Sequence, residues 1–185
     1  MTDRAVSGPG PALTLEESIL VDAAPADVYR LVADLRNMGR WSPECRRVWL
    51  PGAPARPGSW FVGFNRRGAF VWLTTGRVVA AREAGDFAFD VGVLGLPIAR
   101  WRYRFESEGA GTRVTESWQD LRTGRGAGLA RVLGLLFAGT GTERRIEVNR
   151  AGMRTTLARL AATATAADVT ATDATGAAPA AGREG

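Results

Sequence analysis

The stretch from Ala99 to Leu121, ARWRYRFESEGAGTRVTESWQDL, constrains the fold of this chain more than any other. In its first half Trp101, Tyr103 and Phe105 alternate with Arg100, Arg102 and Arg104, the period of two by which a strand presents one buried and one wet face. The aromatics are expected to point inward. Glycines in the turn Glu-Ser-Glu-Gly-Ala-Gly tolerate positive φ, and the second arm alternates again, with Val114, Glu116 and Trp118 on its more apolar face. The segment therefore reads as a β-hairpin that sets Glu116 among aromatics. A carboxylate there either pairs with a cation, such as Arg150, or lines a cavity that holds something polar.

Composition removes several kinds of chemistry. The 185 residues contain no histidine, which excludes Ser-His-Asp and Cys-His arrangements, histidine-ligated metals and imidazole acid-base catalysis by the chain itself. No metal and no cofactor are expected. A lone Cys45 cannot form an internal disulfide and reads as a buried structural thiol, consistent with a reducing compartment. The net charge is +5, yet all 24 basic residues are arginine and are spread along the chain, a bias that resembles GC-rich coding more than a phosphate-binding surface. Nucleic acid is not the expected partner. The first residues lack the apolar segment of a secretory leader, and no uncharged run approaches the roughly 20 residues of a membrane-spanning helix. A soluble, cytoplasmic protein is expected.

Residues 1 to 12, rich in Gly and Pro, read as a flexible arm, and a single domain over residues 13 to 162 follows. A strand from Leu13 to Val21 leads to a helix with Pro25 at its first position, Asp27 in its first turn and an apolar stripe of Val28, Leu31, Val32 and Leu35. The run from Asn37 to Cys45 is a bend or a short second helix, since Gly39 and Pro43 stop the first, and Trp41 plugs one end of the core. A short strand at Arg46 to Leu50 precedes a Pro-Gly loop. Strands follow at about residues 59 to 66, 69 to 81 and 86 to 94, joined by hairpin turns. On the first of these, Phe61, Gly63 and Asn65 share one face and Trp60, Val62 and Phe64 the other, so apolar groups occur on both sides and a homodimer that covers the outer row is expected. After a Gly- and Arg-rich joint, Leu129 to Phe137 form an apolar helix-like run, either a lid or ordinary packing. A helix then runs from Thr142 to about Ala162 with Ile146, Asn149 or Arg150, Met153, Leu157 and Leu160 at three- and four-residue spacing, and residues 163 to 185 read as a disordered Ala, Thr and Gly tail.

This order implies an α+β fold, a curved antiparallel sheet of about seven strands wrapped around a long C-terminal helix, with one or two short helices after the first strand. Where sheet and helix diverge, a pocket walled by Trp72, Phe89, Trp101, Tyr103 and Trp118 is expected, with the amides of Asn65 and Asn149 as its polar points and Met153 on the helix side. The segments SILVDAAPADVYRLVADLRNMGRWSPE, NRRGAFVWLTTGRVV with FAFDV after it, WRYRFESEGAGTRVTESW and RAGMRTTLARL resemble the polyketide cyclase/dehydrase branch of the START-like (SRPBCC, helix-grip) superfamily. That resemblance spans about residues 14 to 162. It implies a deep cavity for a hydrophobic small molecule, a polyketide, lipid or sterol-like compound, in a branch that includes aromatase/cyclases as well as carriers and that shares no strict catalytic motif. Two functions are therefore expected. One is a cofactor-independent cyclase or dehydratase in which Glu116 is acid or base while Tyr103 and Asn65 donate hydrogen bonds to an enolate or carbonyl oxygen. The other is a non-catalytic binding or carrier protein.

Overall fold

In the computed structural model, which describes residues 13–122 and 142–176, the alternating segments become strands β1 (Thr14–Val21), β2 (Cys45–Trp49), β3 (Trp60–Arg67), β4 (Phe70–Arg82), β5 (Asp86–Val93), β6 (Leu96–Glu108) and β7 (Gly111–Asp120). Helices α1 (Pro25–Ala33) and α2 (Met38–Trp41), separated by a 3-10 turn at Leu35–Asn37, link β1 to β2, and the long helix α3 (Thr142–Gly176) follows the sheet. Pro25 sits in the first turn of α1, where its missing N–H is no loss, and Asp27 faces the positive end of the helix.

All pairings are antiparallel, in the order β1-β7-β6-β5-β4-β3-β2. The central hairpin has the expected register, Trp101 opposite Trp118, Tyr103 opposite Glu116 and Phe105 opposite Val114, with Gly109 at positive φ in its turn. Irregularities in the pairing at Cys45/Arg47, Val78/Ala80 and Val91/Gly92 add local bend and twist, which curls the sheet about α3. At Gly76, cross-strand from Phe61, a Cβ would stand 2.1 Å from the Phe61 ring, so glycine there lets the ring lie flat over β4.

One end of this half-barrel is solid. Val28, Val32, Leu35, Trp41, Phe87, Phe105, Leu157 and Leu160 form the main core, and the Trp41 indole N–H donates to Thr163 Oγ1 at 3.2 Å while Arg159 donates to the Trp41 carbonyl at 3.2 Å. Buried Asp86 holds Arg82 at 2.6 Å and Arg102 at 3.0 Å through their Nε atoms. The outer face keeps the exposed apolar row read from β3, with Trp49 and Trp60 edge to face at 5.1 Å beside Phe64, Val71 and Leu73.

Two boundaries are corrected. Helix α3 continues through Gly176 with Ala164 buried, so residues 163–176 are helix rather than tail: Ala and Thr lack the large apolar groups that mark a periodic stripe, yet Ala164 is small enough to seat against the core. Strand β2 begins at Cys45 rather than Arg46. The arm at residues 1–12, the apolar run Leu129–Phe137 and residues 177–185 lie outside the described residues.

Candidate functional site

Beneath the first half of α3 the sheet falls away and leaves a cavity of about 200 Å³. Every residue expected at the pocket lines it: Asn65 and Trp72 from β3 and β4, Phe89 from β5, Trp101 and Tyr103 from β6, Glu116 and Trp118 from β7, and Asn149 and Met153 from α3. Period-two alternation puts the sheet residues on one concave face, and steps of three and four bring Arg145, Asn149, Gly152, Met153 and Thr156 to the facing stripe of α3. At the deep end the walls are buried, among them Leu35, Met38, Cys45 and Phe61.

Glu116 is the distinctive group. It is 2% exposed; the Tyr103 hydroxyl donates to its Oε1 at 2.7 Å, and its Oε2 is buried without a hydrogen-bond partner. No guanidinium among the described residues reaches it. Arg150, a candidate partner on helical spacing, instead faces Glu17 at 3.8 Å, and Arg154 donates to the same Glu17 at 3.0 Å, so the arginines that approach from α3 are held at the edge strand β1. Burial with no compensating cation pushes the Glu116 carboxyl up to about 8, against a smaller lowering by the Tyr103 hydrogen bond. The same burial, and then the neighbouring carboxylate, raises the Tyr103 phenol well above its ordinary value. Near neutral pH both are protonated.

Asn65 differs from expectation. Its amide nitrogen donates to the Gly63 carbonyl and to Thr74 Oγ1, both at 3.2 Å, so its donors are engaged within the sheet rather than offered to an enolate. Cys45 lines the cavity as a buried thiol pushed up to about 11 by burial, which leaves it without nucleophilic thiolate near neutral pH. At the more exposed rim, Arg145 grips both oxygens of Glu44 at 3.1 and 2.7 Å, and Arg122 holds Asp120 at 2.9 and 2.7 Å. This charged rim escaped the sequence reading. Its arginines look like every other arginine of the chain, and only the long-range pair Glu44–Arg145 gives them a place.

A family model described as polyketide cyclase/dehydrase and lipid transport matches residues 12–165. The chain belongs to the polyketide cyclase/dehydrase and lipid transport family. The resemblance read from the sequence and the helix-grip topology agree with that membership. Among solved structures similar to this family member is a Polyketide_cyc-like protein of Corynebacterium glutamicum, 27% identical with a TM-score of 0.51 over 88% of this chain and 95% of that one. Two di-domain ARO/CYC proteins share the fold: BexL from the BE-7585A biosynthetic pathway (21% identity, TM-score 0.60, 84% of this chain and 51% of that one) and StfQ from the steffimycin pathway (14%, 0.65, 85% and 52%). Among curated proteins, none is similar enough to count as a relative. No helix among the described residues is long and apolar enough to cross a membrane, and no cluster of His, Cys, Asp and Glu among them would hold a metal ion.

Proposed function

We propose that this family member binds a hydrophobic small molecule in the cavity and acts on it as a cofactor-independent cyclase or dehydratase, with Glu116 moving the proton. The observation that carries the proposal is the buried Tyr103–Glu116 pair in the cavity wall, a carboxyl pushed up to about 8 and therefore able both to give and to take a proton near neutral pH. Neutral Glu116 gives its proton to a departing hydroxyl oxygen. The resulting carboxylate, held by the Tyr103 O–H, takes a proton from the carbon beside a carbonyl; a C–O and a C–H bond break, a C=C bond forms, and water leaves. Much of the remaining barrier lowering falls to shape: aromatic walls that hold two carbons of a flexible chain at reacting distance contribute up to roughly 7 to 11 kcal/mol.

Native mass spectrometry of the protein purified from its own host tests this reading. The wild type is expected to carry a small molecule, and Glu116→Gln to carry a precursor heavier by one water. Identical bound species in both proteins would make the chain a carrier, and a refolded Glu116→Gln that binds nothing would give the carboxyl a purely structural role.

A further inference from the structure

The cavity makes no use of the outer face of β2, β3 and β4. On that face the strand register sets Arg47 beside Phe64 and Leu73, Trp49 beside Val62 and Thr75, Trp60 beside Arg77, and Arg66 beside Val71. Trp49, Trp60, Phe64, Val71 and Leu73 are each between 41% and 66% exposed. Soluble monomers seldom expose contiguous apolar patches beyond a few hundred Å², and those that do use them for docking. The patch extends to one end of the sheet. Phe70 follows the β3–β4 turn, and Leu94 occupies the β5–β6 turn, 79% exposed and at φ 51, a left-handed backbone that leucine adopts only at a cost. Trp72, next to Val71, and Val93, next to Leu94, line the cavity from the opposite face of the same strands.

The charges on this face select its occupant. Arginine is interleaved with the apolar groups rather than set apart from them, Arg47 in the row of Phe64 and Leu73 and Arg77 in the row of Trp60. Asp90, next in the row of Arg77, is already held at both oxygens by Arg100, at 2.6 and 2.9 Å. A second copy of the same face would bring arginines toward arginines, which like-charge repulsion opposes. An anionic lipid bilayer suits both features. Indole and phenyl rings settle at the level of the headgroups, and guanidinium groups reach lipid phosphates on stems that lie along apolar surface.

We infer that the outer face of β2, β3 and β4 docks the protein on an anionic lipid bilayer, which sets the Phe70 and Leu94 end of the sheet, and the cavity behind it, alongside the membrane. Co-sedimentation of the full chain with vesicles tests this, using phosphatidylcholine alone and phosphatidylcholine mixed with phosphatidylglycerol. The wild type sediments with the mixed vesicles and stays in solution with the neutral ones. Arg47→Gln and Arg77→Gln each weaken that binding roughly fivefold, the worth of one arginine at such a surface. Trp60→Ser combined with Phe64→Ser removes the binding that persists at high salt, because salt screens only the charged part. None of these four side chains lines the cavity, so every variant still carries the wild-type small molecule in native mass spectrometry, which tells a failed docking face from a failed cavity. Should the serine variant not fold, the two arginine variants decide alone. No wild-type binding to the mixed vesicles, equal binding to neutral ones, or binding indifferent to all four substitutions overturns the inference. A dimer in light scattering that Trp60→Ser with Phe64→Ser splits also overturns it, since the face then belongs to a second copy.

Discussion

Glu116 makes folding stability depend on pH in a direction opposite to that of most carboxylates. In the unfolded chain its pKa is the ordinary 4.5, and in the fold it is pushed up to about 8. Between those values the folded protein holds a proton that the unfolded chain has released, so stability falls as pH rises, by about 1.4 kcal/mol per pH unit. From about pH 5 to about pH 8 the loss is on the order of 4 kcal/mol, a large part of the 5–15 kcal/mol typical of a domain. Below the unfolded value and above the folded one this contribution is flat. The chain has no histidine, so no imidazole titration overlaps the window, and the Cys45 thiol titrates above it. Urea unfolding at intervals across this range, on the wild type and on Glu116→Gln, reads the effect. The glutamine keeps the Tyr103 hydrogen bond without a titrating group, so its stability is level where the wild type's declines, and the gap between the two proteins opens by about 4 kcal/mol. Parallel curves would mean that Glu116 is ionised in the fold, and proton donation by it would fall with that result.

Other perturbations separate the neighbouring groups. Tyr103→Phe removes the hydrogen bond that lowers the Glu116 value, so the decline in stability extends to higher pH, and unfolding at about pH 7 loses about 1–3 kcal/mol. Asp86 behaves conversely: hydrogen bonds from Arg82 and then Arg102 hold its carboxyl below the ordinary 3.8, so the stability it adds is present above that value and is lost as pH falls through the lowered one. Asp86→Asn is therefore destabilised by about 1–3 kcal/mol at neutral pH, with the gap to wild type closing in acid, as measured by the same unfolding series. Gly76→Ala drives a Cβ into the Phe61 ring, so a loss of about 1–3 kcal/mol in thermal unfolding is expected, together with less co-purified small molecule in native mass spectrometry, because the displaced ring lines the cavity.

The cavity lining was legible because strand alternation reports a side chain's face without any knowledge of its partners. Trp101, Tyr103, Glu116 and Trp118 needed only the hairpin register to be placed on one wall, and Asn149 and Met153 only helical spacing. Periodicity does not report which groups already satisfy one another. Asn65 was placed on the correct face, yet its amide nitrogen is taken by Gly63 and Thr74, a contact that depends on the β3–β4 register. Arg150 had suitable spacing to meet Glu116, but the pairing of β1 with β7, strands far apart in sequence, brings in Glu17 to take it. The continuation of α3 past Ala162 was hidden for a compositional reason: small residues show no stripe even when they pack.

Helix α3 resembles a plank fixed near its start and about halfway along. Glu44 clasps Arg145 in its first turn, Trp41 secures Arg159 and Thr163 near its midpoint, and Glu17 ties Arg154 from the side. The span between, at Asn149, Gly152, Met153 and Thr156, bears little of that load and forms the ceiling of the chamber. Residues there can be exchanged to resize or repolarise the room while the fastenings stay in place, which makes this short span the natural place to retune what the protein accommodates.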